Sequence, residues 1–191
     1  MKTKFIANIE KSLSKIRTQG SAPVHLWNPK FCGNLNIRIA RDGSWFHDGS
    51  KITRPKLVKL FSSILKKEGT KYFLVTPIEK IGIQVYDVPF LVNSMDATGL
   101  GRKQNLLFTT NIEESFLLGK KNRLRIEFNR HTNEPSPYVG VRRNLEALID
   151  RKTFYRLIEL GQTEDYKNDL WFGVWSNRTF FPIILQKDLF D

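Results

Sequence analysis

Arginine, aromatic and histidine side chains recur at two places in the sequence. They are Arg38, Arg41, Trp45 and His47 in the first half of the chain, and Tyr138 and Arg142 in the second. A guanidinium group offers planar, paired donors to a carboxylate or a phosphate, and an aromatic face stacks on a ring. The set therefore predicts a site for an anionic or ring-bearing ligand. Taken singly, each residue equally fits an ordinary strand position or an ion pair.

Other residue types that could do chemistry do not form a catalytic or metal-binding pattern. His25, His47 and His131 are far apart in sequence, and Cys32 is the single cysteine, so no metal-ligand spacing occurs. Cys32 reads as a buried structural thiol rather than a nucleophile. The sequence predicts a protein that is not an enzyme and that needs no cofactor or metal.

Two glycine-containing segments resemble phosphate-binding loops only in part. Gly99-Leu100-Gly101 is not followed by a predicted helix, so the strand-turn-helix setting of a dinucleotide site is missing. Gly119-Lys120-Lys121 lacks both the earlier glycine of such a loop and the hydroxyl residue after the lysine. Neither segment predicts a nucleotide site, and the second reads as a hairpin turn.

The two groups of side chains lie in similar runs of predicted elements. Each run has a strand ending in a basic turn, a capped amphipathic helix and an aromatic-rich hairpin. In the first run, a strand over 37–41 turns at Asp42-Gly43 and pairs with a second strand at 45–47, before another turn at Asp48-Gly49. The helix then begins at its cap Thr53 and ends at Gly69, and strands over 72–75 and 80–85 follow. In the second, the helix begins at Asp150 and ends near Gly161. This repetition predicts an internal duplication, with a ligand site in the seam between the halves.

The remaining segments complete the predicted organisation. Residues 4–17 form a basic amphipathic helix, and a linker follows at 20–23. Between the two copies we expect an edge strand around 89–92, a mobile loop over 94–105, and a meander of strands over 106–109, 115–118 and 124–128. A polar loop over 129–137 leads into the second copy.

Composition and charge limit the classes to which the protein can belong. The chain has 191 residues and a formal net charge of +12, and residues 1–95 carry 16 basic and 6 acidic side chains. No apolar run is long enough to span a bilayer, and no secretory signal is recognisable. These features predict a cytoplasmic protein. The basic first half fits either a well-solvated surface or a nucleic-acid partner.

Several motifs, taken in order, resemble one bacterial family. They are Trp27-Asn28-Pro29-Lys30-Phe31-Cys32-Gly33, Asp42-Gly43-Ser44-Trp45-Phe46-His47-Asp48-Gly49, Val75-Thr76-Pro77-Ile78-Glu79-Lys80 and Pro137-Tyr138-Val139-Gly140-Val141-Arg142. The chain is similar over about Trp27 to Pro182 to the family of unknown function called DUF1285. Asn36 departs from an expected aspartate, and Asn177-Arg178 from a glycine-containing turn. The resemblance implies two related α/β domains, the second pleckstrin-homology-like, with a site at the domain interface and a role in ligand sensing or signal transduction.

Together these observations predict an α+β protein with mostly antiparallel sheets, each carrying a helix. The expected divisions are residues 1–22 for the N-terminal helix and linker, 23–87 for the first domain and 88–191 for the second. The expected function is non-enzymatic binding of an anionic small molecule or peptide at the domain interface. The alternative is nucleic-acid binding by the basic N-terminal half.

Overall fold

A computed structural model describes residues 22–189, and these divide into two units with separate cores. Unit 1 runs to Ala40 and resumes over Ser44–Tyr86. Unit 2 contains Arg41–Gly43 and the chain from Asp87 onward. The helix predicted over residues 4–17 lies outside the described residues.

Unit 1 is a six-stranded sheet with one helix. In order across the sheet, the strands are β3 (Ser50–Lys51), β2 (Trp45–His47), β1 (Phe31–Ile39), β6 (Lys80–Val85), β5 (Lys71–Val75) and β4 (Leu65–Glu68). All neighbours are antiparallel except β1 and β6, which are parallel. The helix α1 spans Pro55–Ser63. The predicted hairpins of β1 with β2 and of β5 with β6 are confirmed.

Alternation along the strands gives the sheet of unit 1 one buried face and one more exposed face. Ile37, Ile39 and Trp45 are buried, and the rings of Trp45 and Phe61 of α1 lie 6.1 Å apart. Arg38 alternates with the two buried isoleucines on the opposite face, because successive side chains of a strand point to opposite sides. We call this opposite side the open face of unit 1.

The predicted helix over 53–69 is wrong at both ends. Arg54, not Thr53, occupies the N-cap position of α1, and it makes no side-chain capping bond. The helix ends at Ser63, whose hydroxyl donates to the carbonyl of Leu60 (2.7 Å). Residues 65–68 form β4 instead, because their backbone pairs with β5. Tertiary strand pairing therefore overrides the helical spacing of the apolar residues.

Unit 2 contains a second six-stranded sheet, a helix and a smaller sheet. The larger sheet has the order β10 (Leu124–Phe128), β11 (Pro135–Arg142), β12 (Leu145–Ile149), β7 (Phe90–Thr98), β8 (Asn105–Thr110) and β9 (Ser115–Leu117). Only β12 and β7 pair in parallel. The helix α2 spans Arg151–Glu159. The smaller sheet consists of β13 (Gln162–Tyr166), β14 (Asp169–Ser176) and β15 (Thr179–Leu185).

Three predictions for unit 2 are wrong in detail. The strand after Pro89 is not at an edge, because β7 lies between β12 and β8 and buries Val92 and Met95. The first five residues of the predicted loop over 94–105 belong to β7 and its last residue to β8, which leaves a connection over 99–104 with a 3₁₀ turn at Gly101–Lys103. The predicted meander also fails at its last step, since β10 pairs with β11 rather than β9.

The two predicted copies share a nine-residue helix followed by three antiparallel strands. They differ in the pairing of the third strand. In unit 1, β6 also pairs with β1, so all three strands belong to the six-stranded sheet of that unit. In unit 2, β13–β15 form a separate three-stranded sheet. The fold is thus α+β and mostly sheet, and the duplication stays a prediction. Across residues 22–189, no helix combines the length and apolar character needed to cross a membrane.

Candidate functional site

Three of the predicted ligand-binding residues lie in unit 1. The guanidinium of Arg38 lies over the rings of Phe46 (4.3 Å to the ring centroid) and Tyr86 (5.3 Å). Trp45 is 1% exposed and belongs to the core. His47 Nε2 lies 3.7 Å from a carboxylate oxygen of Asp48. Arg38 thus lies on the open face, while the Trp45 indole packs on the opposite, apolar side of the sheet.

Two predicted residues of unit 2, Arg41 and Tyr138, share one carboxylate. Arg41 Nε lies 3.2 Å from Asp87 Oδ2, and the Tyr138 hydroxyl donates to the same oxygen at 3.0 Å. Arg41 also donates to the hydroxyl of Ser136 (3.0 Å). Burial, followed by the charge of Asp87, raises the pKa of the Tyr138 phenol above its ordinary value. The phenol is therefore held as a neutral donor.

Arg142 has different partners. Its guanidinium pairs with Glu114 and lies 4.9 Å from the ring centroid of Phe90. Burial, with a smaller effect of Arg143, lowers the pKa of Arg142 to about 10, and the contact with Glu114 opposes this change. The group is therefore charged at neutral pH. Such a half-buried, charge-paired arginine suits a structural role as well as a binding role.

A hollow of about 570 Å³ opens on unit 1, and the sequence did not predict it. We call it the sheet hollow. Its lining includes Phe31, Asn34, Phe73, Lys80, Gly82 and Gln84. The rings of Phe31 and Phe73 are 6.1 Å apart at an interplanar angle of 87°, and Lys80 Nζ lies 5.1 Å from the centroid of Phe73. The volume falls within the range of small-molecule sites.

Gly82 forms part of the floor of the sheet hollow. It is the register partner of Asn34 across the parallel pair of β1 and β6. A Cβ at Gly82 would overlap the carboxamide oxygen of Asn34 and approach the ring of Phe31. A glycine inside a strand commonly marks such a close approach. The missing side chain leaves room for the Asn34 carboxamide, which lies beside the ring of Phe31.

The ammonium group of Lys80, beside the sheet hollow, belongs to a small network of ion pairs. Lys80 and Lys66 each lie 3.0 Å from a carboxylate oxygen of Glu68. Hydrogen bonds from Lys66 and then Lys80 lower the pKa of Glu68, so its carboxylate is ionised at neutral pH. Two ammonium groups thus face one carboxylate. The network orients Lys80 and leaves an excess of positive charge next to two aromatic rings.

One sequence signal could have indicated the sheet hollow. Phe73 lies between Tyr72 and Leu74 in a predicted strand, so its ring points to the opposite side of the sheet from theirs. The exposure of Phe31, which is 54%, is visible only in the folded chain. The position of Phe73 does not connect the two rings, because 42 positions separate them and only the sheet brings them together.

Cys32 and the carboxylates bear on catalysis. Cys32 is exposed, so the prediction of a buried thiol is wrong, and its Sγ donates to the carbonyl of Lys30 (3.3 Å). Among residues 22–189, no three His, Cys, Asp or Glu side chains are grouped to hold a metal ion.

Comparison with known proteins decides the family. Residues 22–88 match the N-terminal domain described as a domain of unknown function (DUF1285), and residues 89–183 match the DUF1285 C-terminal domain. The chain belongs to the DUF1285 family. A DUF1285 family protein from Silicibacter pomeroyi DSS-3, solved by crystallography, is 50% identical. The match covers 96% of this chain and 98% of that one, with a TM-score of 0.86.

A second DUF1285 crystal structure is more distant. The protein from Shewanella baltica OS155 is 26% identical over 65% of this chain and 91% of its own, with a TM-score of 0.52. No curated protein matches the chain significantly. The DUF1285 family model carries no described activity. Membership of the family therefore does not specify a function for this chain.

Proposed function

We propose that this DUF1285 protein is a non-enzymatic binding module that holds a ring-bearing anionic small molecule in the sheet hollow. The observation that carries the proposal is the pairing of two aromatic rings with Lys80 around a space of about 570 Å³. No carboxylate lines this space among the described residues. Aromatic walls with a few placed polar groups are typical of small-molecule sites.

The lining assigns a part of the ligand to each wall. A planar ring of the ligand packs against Phe31 or Phe73, and Lys80 lies over one face of Phe73. An acidic group lies toward the ammonium of Lys80. The carboxamides of Asn34 and Gln84 offer both donors and acceptors for polar substituents. Aromatic carboxylates and nucleoside monophosphates have this chemistry.

The test is a thermal-shift screen of aromatic carboxylates and nucleoside monophosphates, followed by calorimetric titration of any compound that raises the melting temperature. We expect Lys80→Gln and Phe73→Leu each to weaken binding by about tenfold, because each removes one favourable contact. Lys66→Gln is the matched control. It breaks the same kind of ion pair with Glu68 but does not line the hollow.

Two outcomes would contradict the proposal. One is that no compound of either class binds at millimolar concentration. The other is that Lys66→Gln and Lys80→Gln weaken binding equally, because the effect would then follow general charge rather than the hollow.

The single ligand site that the sequence predicted from six residues remains a prediction. Arg38→Ala and Arg142→Ala, titrated with the same compounds, test them. If either arginine contributes to binding, its replacement will lower the affinity although Lys80 is unchanged. The pleckstrin-homology-like character of the second domain, the signalling role, the duplication and the cytoplasmic location also remain hypotheses.

A second candidate function is binding of single-stranded nucleic acid, and the open face of unit 1 supports it. Arg38 pairs in register with Phe46 on β2 and with Gln84 on β6, and Phe46 pairs in register with Lys51 on β3. Residues paired in this way lie side by side on the same face of the sheet. Phe46 and Tyr86 flank the Arg38 guanidinium. Basic side chains interleaved with exposed rings are typical of sheets that bind single strands. The dependence of oligonucleotide affinity on salt tests this candidate.

A further inference from the structure

Two turns of unit 2 bring basic side chains into a second hollow, which we call the turn hollow. Its volume is about 940 Å³, and it is lined by Arg102, Lys103, Asn105, Trp175, Asn177 and Arg178. Three of these six residues are cationic and none is acidic. The first turn is the 3₁₀ segment Gly101–Lys103, and the second connects β14 to β15.

Hydrogen bonds join the two turns. The side chain of Gln104, which is 4% exposed, donates to the carbonyl of Trp175 (2.8 Å). The backbone nitrogen of Asn177 donates to the carbonyl of Gln104 (3.0 Å). Because these bonds hold the backbone of both turns in place, little further ordering is needed when a ligand binds. The basic side chains therefore extend from a preorganised frame.

Glu164 orients Trp175 and Arg102 at the wall of the turn hollow. Its carboxylate accepts from the Trp175 indole nitrogen (3.1 Å) and from Arg102 Nη2 (3.2 Å). The Arg102 guanidinium lies 5.2 Å from the Trp175 ring, so the ring face next to Arg102 is already covered. These hydrogen bonds, led by that from Trp175, lower the pKa of Glu164. One of the three cations is thus neutralised, and the remaining excess is +2.

The second turn has an unusual backbone for its residues. Asn177 and Arg178 have φ of 46° and 59°, the left-handed pair that a two-residue hairpin requires. Glycine adopts this conformation at a lower cost than arginine does. The turn thus places a guanidinium at the mouth of the hollow where a smaller residue would fit the backbone better.

The geometry points to a binding site for a phosphate-bearing anion with two or more negative charges. The excess of +2 matches a doubly charged group, and guanidinium forks form paired hydrogen bonds with phosphate oxygens. Asn105 and Asn177 add carboxamide donors to the lining. A ring is not required, because the Trp175 face beside Arg102 is occupied. The phosphate is either free or part of a larger molecule.

The test is a calorimetric titration of the full chain with inorganic pyrophosphate, and in parallel with a nucleoside diphosphate. We expect both Lys103→Gln and Arg178→Gln to weaken binding of pyrophosphate by about tenfold, since each removes a charge-assisted contact. Arg156→Gln is the matched control, because Arg156 is an exposed arginine of α2 outside the hollow. Circular dichroism checks that each variant is folded.

Comparison of the two titrations identifies the source of the phosphate. Equal affinity for pyrophosphate and the nucleoside diphosphate supports a free anion. Tighter binding of the diphosphate that Lys103→Gln weakens supports a larger ligand in the turn hollow. No binding of either compound overturns the inference. So does a loss of affinity in Arg156→Gln as large as in Lys103→Gln and Arg178→Gln. Weakening of pyrophosphate binding by Lys80→Gln, but not by Lys103→Gln or Arg178→Gln, also overturns it, because the anion would then lie in the sheet hollow.

Discussion

Gly43 occupies a crowded position with a left-handed backbone. Its φ is +75°, and a Cβ there would overlap the carboxamide of Asn111. That carboxamide donates to the Gly43 carbonyl (3.1 Å) and accepts from the backbone nitrogen of Leu91 (3.1 Å). Asn111 therefore fastens the segment 41–43 to the start of β7 within unit 2. The Asp42-Gly43 pair predicted a turn, and Asn111 adds a constraint the pair could not show.

Replacing Gly43 tests that constraint at the residue scale. We expect Gly43→Ala to lower the free energy of unfolding by roughly 2–3 kcal/mol, of which about 1 kcal/mol is backbone strain and the rest is overlap. Gly49 has φ +81° and no atom near its absent Cβ. Gly49→Ala should therefore cost only about 1 kcal/mol. Urea unfolding of both variants gives the comparison, and equal costs would rule out the overlap.

Tyr138 makes the stability of unit 2 fall as the pH becomes alkaline. Its pKa in the folded state is raised, chiefly by burial, so folding favours the protonated phenol. The associated stability is complete below the unfolded pKa of about 10 and is lost as pH rises through the higher folded value. Removing the hydroxyl in Tyr138→Phe also removes the hydrogen bond to Asp87.

The variant separates this dependence from the titration of other groups. We expect wild type to exceed Tyr138→Phe by about 0.5–1.5 kcal/mol in unfolding free energy near neutral pH. The difference should shrink as pH rises above about 10. Urea midpoints of both proteins across this range provide the measurement. A difference that stays constant with pH would show that the phenol does not titrate differently in the folded state.

At the scale of elements, the two helices begin differently although the sequence predicts a cap for each. Asp150 accepts a hydrogen bond from the Thr153 backbone nitrogen (2.7 Å) at the start of α2, which confirms that prediction. Thr53 precedes the N-cap position of α1, where Arg54 makes no capping bond. Pro55 explains the shift, because proline fits the first turn and restricts the residue before it.

This difference predicts unequal effects of two similar substitutions. Asp150→Ala should lower the free energy of unfolding by about 1 kcal/mol, because it leaves a helical nitrogen without its capping partner. Thr53→Ala is the matched control and should change it by less than about 0.5 kcal/mol. Chemical denaturation checks both variants. A cost for Thr53→Ala equal to that of Asp150→Ala would mean that the threonine caps α1 after all.

At the scale of the whole molecule, net charge separates the two proposed functions. The chain carries +12, concentrated in residues 1–95, so any polyanion is attracted. A single strand that contacts about four phosphates releases counterions, and its affinity should fall roughly fifty-fold between about 50 and 200 mM salt. A small anion in the sheet hollow contacts one or two ammonium groups, so its affinity should fall less than about fivefold.

Parallel titrations with oligothymidylate and with an aromatic carboxylate at several salt concentrations measure these slopes. A steep loss for the oligonucleotide alone is the expected result. Oligonucleotide affinity that does not respond to salt would contradict an electrostatic mode. A carboxylate affinity that falls as steeply as that of the oligonucleotide would contradict a defined site in the sheet hollow.

The sequence was sufficient to predict the features that depend on residues a few positions apart. These are the hairpin of β5 with β6, the turn at Asp42-Gly43, the cap of α2 and the α+β class, because spacing, turn chemistry and capping are local. Its motifs also determined the DUF1285 family. The helical spacing of Leu65 misled the prediction, because a pairing with Leu74 decides that region.

The parallel pairings and the two hollows depend on contacts between residues far apart in the sequence, so they are visible only in the folded chain. The pairing of β1 with β6 brings Asn34 against Gly82, and β5 beside β6 places Phe73 near Phe31. Similarly, Gln104 joins two turns that lie about 70 positions apart in sequence. Such contacts arise from how strands are ordered in a sheet, and strand order depends on the burial of the whole core rather than on local residue patterns.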